Sequence, residues 1–230
     1  MLMAACDAST DSQKMFLSVG GFVSSAAGWK GFDGEWRERL AQEGLSYFHM
    51  AEFADSVGHF EPLKIQQQRR RELLKDLLGI IVSHAYRKFG VTVEVETADA
   101  EFAEQNKLEY APNALALAGE VACGQAILWA REEGSTLQFV FEDGDLGRGR
   151  FAEQVKILTG VMPTFRPKKD APEIQAFTPL QAAEILVYQM NLVGRQGTPR
   201  MTFSYPFDEL NRMPGAILQP RRRHPPRPST

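Results

Sequence analysis

The sequence predicts an α/β fold in which a mixed sheet is flanked by helices. Three observations support this prediction. Strand-like segments cluster early in the chain, long helical segments alternate with strands later, and no apolar stretch approaches the ~20 residues that span a bilayer. The 230 residues are 43% hydrophobic and 24% charged, a composition typical of a folded globular protein. We therefore expect one sizeable hydrophobic core or two small ones, and no membrane association.

The amino-terminal segments predict a hairpin of two strands. Residues 1–6 and 14–23 are apolar and are joined by a polar cluster of turn-forming residues. Gly20 and Gly21 lie inside the second strand, where glycine indicates a bulge or the close approach of another backbone.

The next segments predict two helices and two strands. Bulky apolar residues recur every three to four positions in residues 29–40, which indicates a helix. Residues 45–50 are interpreted as a short strand. Residues 64–84 form an amphipathic helical pattern, and residues 86–95 alternate valine with polar residues, as a strand with one solvated face does.

The later segments continue the alternation of helix and strand. Residues 113–131 are nearly all apolar and predict a buried helix, and residues 136–141 are β-branched and aromatic and predict a strand. Residues 150–159 predict a further helix, whereas residues 164–177 are ambiguous. In residues 180–192 we expect a helix that follows the N-cap candidate and proline of a Thr-Pro pair and ends at a glycine.

The predicted order of elements is compatible with a ribonuclease H-like fold. Early strands followed by alternating helices and strands imply a sheet that is antiparallel at first and parallel later. We assign residues 1–200 to this domain and residues 201–230 to a carboxyl-terminal extension. The end of the extension is rich in arginine and proline and is expected to be disordered.

Charge is unevenly distributed along the chain. The net charge is −3, but residues 219–230 contain four arginines and no acid, so the remainder carries −7. Nucleic-acid binders usually present a basic stripe. Each local basic candidate is either a solvated surface or a contact for nucleic acid, and the tail could also contact an acidic partner. The candidates are residues 69–71, Arg148 with Arg150, Arg166 with Lys168 and Lys169, and the tail.

Cysteine content and the amino-terminal sequence favour a cytoplasmic location. Only Cys6 and Cys123 are present, which gives no disulfide framework and suits a reducing compartment. The first residues lack the basic and apolar regions of a secretory signal. Phosphate-binding glycine loops, paired-cysteine zinc patterns and the Gly-x-Ser-x-Gly motif are absent from the sequence, which argues against nucleotide-binding loops, zinc fingers and standard serine hydrolases.

Three acidic residues are candidates for a shared site. Asp7 follows the first predicted strand, Glu142 follows the strand at 136–141, and Glu184 interrupts an apolar helical segment. If the two strands are neighbours, their carboxylates meet, and carboxylates in close contact need a cation between them. Hard oxygen ligands favour Mg²⁺ or Mn²⁺. The alternative for each acid is a surface or capping role.

Further residues near these acids are candidates for supporting roles. Asp143 and Asp145 compete with Glu142 for the metal, although alternation along the strand favours Glu142. His49 is either a catalytic group or a half-buried histidine bonded to backbone. Ser9 and Glu52 are candidates for substrate binding.

Five short motifs in order resemble the family called domain of unknown function 3800. They lie at residues 7–9, 20–23, 47–50, 139–145 and 179–184, within a match that covers roughly residues 1 to 195. The resemblance implies a ribonuclease H-like core whose acids bind divalent metal for phosphodiester chemistry. Two motifs depart from the family pattern: in the first, Ala8 replaces a glutamate and no glycine follows Ser9, and in the last, Glu184 replaces an aspartate.

Two classes of function follow from these residues. The first is a metal-dependent nuclease or phosphodiesterase acting on RNA or DNA, in which Asp7, Glu142 and Glu184 hold the metal, Asp145 completes the shell and His49 or Glu52 moves a proton or orients substrate. The second is a catalytically silent ribonuclease H-like module that binds a protein or nucleic-acid partner.

Overall fold

The structure is a computed structural model with one six-stranded sheet between layers of helices. It describes residues 1–10, 13, 15–96, 114–143, 152–153, 155–157, 160–196 and 204–219. The strands are β1 (Leu2–Thr10), β2 (Phe16–Ser25), β3 (Arg87–Glu94), β4 (Leu137–Glu142), β5 (Thr164–Arg166) and β6 (Gly215–Leu218). The helices are α1 (Ala26–Gln42), α2 (Met50–Asp55), α3 (Gln67–His84), α4 (Ala114–Glu132), α5 (Pro179–Gln196) and α6 (Ser204–Arg212), and a 3₁₀ helix spans Gly58–Leu63.

The strand order of the sheet is β5-β4-β1-β2-β3-β6. The first three strands form an antiparallel meander. Strand β4 then pairs parallel with β1, β5 pairs parallel with β4, and β6 pairs parallel with β3 at the opposite edge. The predicted fold class, a ribonuclease H-like mixed sheet flanked by helices, is confirmed by this arrangement.

The sheet separates two hydrophobic cores because strand side chains alternate between its faces. On one face α1, α3 and α5 pack over residues such as Ala5 and Phe22. On the other face α4 packs over residues such as Cys6 and Phe139. Asp7 therefore shares the face of Ala5, and Glu142 lies on the side opposite Phe141.

The first strand is longer than the sequence predicts. The polar residues after Cys6 were expected to form a turn, but β1 continues to Thr10 and pairs with β2 along its whole length. Asp7 consequently lies inside the strand and not at its end. The glycine pair of β2 marks a close backbone approach, because a Cβ added to Gly21 would lie 1.8 Å from the carbonyl oxygen of Ala5.

Two other local predictions are wrong. Residues 45–49 form no strand; they run as irregular chain into α2, whose N-cap is His49. The late helix does not end at Gly194 but continues to Gln196. Gly194 is needed for packing, since a Cβ there would lie 2.9 Å from the methyl group of Thr92 on β3.

The segment after residue 200 contributes to the fold. Helix α6 contacts α3 and α5, and Leu210 and Met213 are buried in the core cluster on that face of the sheet. Strand β6 extends the sheet beside β3. The predicted helix at 150–159 lies partly outside the described residues, and those described, 152–153 and 155–157, are helical. The arginine-rich tail from residue 220 lies outside them.

None of the helices in the described ranges combines the length and apolar character needed to span a membrane.

Candidate functional site

Strand register places two of the predicted acids side by side. In the parallel pair of β1 and β4, Cys6 is opposite Phe141, so the residues that follow, Asp7 and Glu142, are neighbours on one face of the sheet. In the next pair Glu142 is opposite Arg166. The chain then continues past β5 to Lys168, whose side chain lies beside Asp7 and Glu142.

The third acid comes from the helix above the sheet. Glu184 lies on α5, which packs across β1 and β2. Its neighbours on the helix are buried apolar side chains, and Glu184 is itself only 7% exposed. The helix therefore directs a carboxylate into the space above Asp7, where a charge requires a partner.

The amino group of Lys168 lies at the centre of these three acids. Its Nζ is 3.1 Å from Asp7 Oδ2, 2.7 Å from Glu142 Oε2 and 3.2 Å from Glu184 Oε2. The Lys168 side chain is 7% exposed, Asp7 3% and Glu142 28%, so the group is buried at one end and open to solvent at Glu142. We call these four residues the acid–lysine cluster.

The cluster strongly favours the charged form of Lys168. Burial alone would lower the pKa of the lysine, but attraction to Asp7, Glu184 and Glu142 outweighs burial and raises the pKa above its ordinary value. The three carboxylates carry a formal charge of −3, so the ammonium leaves −2. The cluster is a cation-binding arrangement with excess negative charge.

Backbone groups hold two of the carboxylates in place. Asp7 Oδ1 accepts a hydrogen bond from the N–H of Ala8 at 2.9 Å, and Glu184 Oε1 accepts one from the N–H of Met50 at 3.0 Å. The first contact fixes the rotamer of Asp7, and the second ties α5 to the first turn of α2. Each leaves the other carboxylate oxygen directed at Lys168.

His49 borders the cluster through Glu184. Its Nε2 is 3.3 Å from Glu184 Oε1, and its Nδ1 accepts a hydrogen bond from the N–H of Glu52 at 3.4 Å as the N-cap of α2. The imidazole is 31% exposed. His49 is therefore partly buried and bonded to backbone, and it also lies beside Glu184; a catalytic role for it stays a prediction.

A half-buried rim adjoins His49. Glu52 Oε2 accepts a hydrogen bond from the Tyr47 hydroxyl at 3.1 Å, and Lys169 Nζ lies 3.7 Å above the centre of the Tyr47 ring. The same lysine is 3.6 Å from Glu52 Oε1, and the His59 ring contacts Tyr47 edge to face. Unlike Lys168, Lys169 is 45% exposed.

Gln181, on α5, positions the segments around the cluster through three hydrogen bonds. Its Oε1 accepts hydrogen bonds from Trp36 Nε1 and from the N–H of Phe48, both at 2.8 Å, and its Nε2 donates to the carbonyl oxygen of Lys168 at 2.6 Å. One buried amide thus joins α1, the segment before α2, and the segment that carries Lys168.

The remaining predicted residues are placed as follows. Ser9 lies two positions beyond Asp7 on the same face of β1, and its carbonyl oxygen accepts a hydrogen bond from Asn191 at 3.3 Å. Asp143 follows β4 with an exposed side chain, so Glu142 is the acid that reaches the cluster. Asp145 lies outside the described residues.

Lys168 and Gln181 are the site residues that sequence reasoning missed. The sequence groups Lys168 with surface cations, because β5 is only three residues long and the prolines around it obscure the strand pattern. The only signal in the sequence was a basic residue inside the ambiguous segment 164–177. Gln181 lies three positions before Glu184 in the same helical motif, a spacing that places both on one face of α5.

The cluster differs from a ready-made metal site. Across the described parts of the chain, no group of three or more His, Cys, Asp or Glu side chains is arranged to hold a metal ion. The geometry explains this finding, since the carboxylate oxygens are spaced around an ammonium group at hydrogen-bond distances. Mg²⁺ requires oxygens at about 2.0–2.1 Å.

Comparisons with known proteins give structural similarity but no sequence match. No protein-family model matches the chain, and no curated protein matches it. A solved structure titled as the PCNA:RNase HII complex from Archaeoglobus fulgidus is similar at 20% identity, over 86% of this chain and 74% of that chain, with a TM-score of 0.41. The fold assignment rests on the strand order of the sheet itself.

Proposed function

We propose that this chain is a divalent-metal-dependent nuclease or phosphodiesterase that acts on RNA or DNA, consistent with its resemblance to the domain of unknown function 3800 family. One observation carries the proposal. Asp7, Glu142 and Glu184 come from distant parts of the sequence and direct one carboxylate oxygen each at a single cation. Acids gathered in this way are costly unless a cation neutralises them.

The donor set fits Mg²⁺ or Mn²⁺ in chemistry and in charge. All three donors are hard carboxylate oxygens, the ligands these ions prefer. The cluster retains a formal charge of −2 after Lys168 is counted, so it can attract a divalent ion from solvent through the half-exposed Glu142. When bound, such an ion would stabilise the negative charge that develops on the phosphate and help to activate water.

The residues of the chain then have separate tasks. Asp7 and Glu184 are the buried ligands, oriented by the backbone N–H groups of Ala8 and Met50. Glu142 is the ligand on the open side. His49, whose Nε2 lies 3.3 Å from Glu184 Oε1 and whose side chain is 31% exposed, is placed to move a proton or to orient a phosphate. Asp145 remains a candidate for the metal shell.

The rim beside His49 supplies groups suited to a nucleic acid. Lys169, whose side chain is 45% exposed, offers an ammonium for a phosphate, and the Tyr47 ring lies beneath that ammonium. Glu52 fixes both through its contacts with the Tyr47 hydroxyl and Lys169. We propose that Glu52 and Ser9 act in substrate binding, Glu52 by this positioning.

Hydrolysis of labelled single-stranded and double-stranded RNA and DNA in Mn²⁺ or Mg²⁺ tests the proposal. We expect Asp7→Asn to reduce kcat by at least about 100-fold, because it removes a ligand charge where negative charge must be neutralised. The matched control is Asp76→Asn, whose carboxylate contacts Arg39 on the surface. Equal turnover by wild type and Asp7→Asn would reject the ligand assignment.

A catalytically silent module that binds a protein or nucleic-acid partner is the second candidate. Lys168 favours it, since an internal ammonium already neutralises part of the cluster. Calorimetric titration separates the candidates: an enzyme of the proposed kind takes up Mn²⁺, whereas a silent module does not.

We further propose that the protein acts in the cytoplasm. Cys6 and Cys123 are both free, buried thiols, and burial raises the pKa of each, which makes them unreactive. A chain without disulfides is typical of a reducing compartment.

A further inference from the structure

The side chain of Lys168 occupies the point at which the three acids converge. Its Nζ is within hydrogen-bond distance of one oxygen from each, at 2.7–3.2 Å. These are the oxygens that a divalent ion would use. The cluster therefore already holds a cation, and that cation is covalently part of the chain.

The backbone on either side of Lys168 is fixed by hydrogen bonds, whereas its ammonium is held by the three acids. Gln181 Nε2 donates to the carbonyl oxygen of Lys168, and the N–H of Phe177 donates to the carbonyl oxygen of Pro167. The four-carbon side chain can rotate without disturbing these bonds, because lysine has several rotatable bonds. The ammonium can thus leave the cluster while the segment stays in place.

A divalent ion and the ammonium cannot both occupy the point at which the three carboxylate oxygens converge. Two cations a few ångströms apart repel strongly in a partly buried site, and the lone pairs that bond the ammonium are those a metal requires. The opening at Glu142, which is 28% exposed, gives the ammonium a route toward solvent.

We propose that Lys168 is a tethered competitor of the divalent metal: its ammonium closes the acid–lysine cluster at low metal concentration and is displaced when the ion binds. Lys168 then sets the metal concentration at which the site fills, and it keeps the buried acids neutralised when no metal is present. This inference rests on the proposed metal-dependent function.

Calorimetric titration with Mn²⁺ tests the inference on wild type, Lys168→Met and Lys169→Met. Removing the competing charge should lower the dissociation constant for Mn²⁺ at least about tenfold in Lys168→Met. Lys169→Met removes the same charge from the next residue, which is exposed and does not touch the three acids, so its dissociation constant should change less than about threefold.

The outcomes separate the inference from the proposed function. Tighter binding by Lys168→Met alone supports the inference. Equal binding by wild type and Lys168→Met, or weaker binding by the variant, overturns it and leaves the metal site intact. Equal tightening by both variants also overturns it, because net charge would then be the cause. Absence of Mn²⁺ binding in all three proteins rejects the proposed function itself.

A second readout covers the case in which Lys168→Met folds poorly. Lys168→Gln removes the charge but keeps hydrogen-bond donors near the acids. We expect Mn²⁺ to raise the Tm of Lys168→Gln more than that of wild type, because the ion replaces the missing cation only in the variant. An equal rise of Tm in both proteins would overturn the inference.

Discussion

The buried charges of the acid–lysine cluster depend on one another for neutralisation. Asp7 and Glu184 are almost inaccessible to solvent, and each shares Lys168 as a cationic partner. Removing one member of a buried ionic group is usually more costly than the group is stabilising, since it leaves an uncompensated charge. The residues of this site therefore constrain one another more than they stabilise the fold.

Gln181 is an uncharged buried group that likewise depends on several partners. Its amide satisfies Trp36 Nε1, the Phe48 N–H and the Lys168 carbonyl group at once. Gln189 lies eight residues later on α5 and is equally buried, but its Nε2 has no hydrogen-bond partner within the described ranges. The two glutamines form a natural comparison between a satisfied and an unsatisfied buried amide.

We expect Gln181→Met to lower the free energy of unfolding by about 2–4 kcal/mol, because two buried donors and one acceptor lose their partners. Gln189→Met should change it by less than about 1 kcal/mol, since the side chains are similar in size and an unpaired donor is removed. Urea denaturation measures both. Similar losses in the two variants would contradict the organising role of Gln181.

At the scale of elements, the hairpin of β1 and β2 determines where Asp7 lies. The two strands pair without interruption from Leu2 opposite Ser25 to Thr10 opposite Leu17. Gly21 permits this pairing because its position leaves no room for a side chain beside the carbonyl group of Ala5. Displacement of this pair would move Asp7 relative to Glu142 on the next strand.

Gly21→Ala should therefore lower the free energy of unfolding by about 3 kcal/mol or more, since the added methyl group meets fixed backbone. Gly79→Ala is the matched control: Gly79 is exposed in the interior of α3, and no atom lies within 4 Å of an added Cβ. That variant should gain roughly 0.5–1 kcal/mol from helix propensity. If Gly21→Ala lowered the free energy of unfolding by no more than about 0.5–1 kcal/mol, the hairpin would tolerate displacement.

Elements with a clear hydrophobic period were predictable from the sequence, and those fixed by long-range pairing were not. The helix α3 and the strand β3 follow their patterns closely. The extension of β1 through Asp7 to Thr10 depends on pairing with β2, which overrides the turn preference of polar residues. The segment before His49 contains strand-forming residues but is held by Gln181 instead of a ladder.

At the scale of the whole molecule, the topology accounts for the convergence of the acids. Strands β1, β4 and β5 are parallel, so their carboxyl-terminal portions share one edge of the sheet, where open α/β sheets commonly bind ligands. This is why the sequence could predict that Asp7 and Glu142 meet. The role of Lys168 could not be predicted, because it depends on a three-residue edge strand that carries almost no pattern of its own.

The most direct test of the account is a crystal structure of the protein soaked in Mn²⁺, with the metal located by its anomalous scattering. The account predicts a Mn²⁺ ion bonded to oxygens of Asp7, Glu142 and Glu184, with the Lys168 ammonium displaced from the cluster. A map without metal at this position, in which Lys168 still bonds all three acids at saturating Mn²⁺, would contradict it.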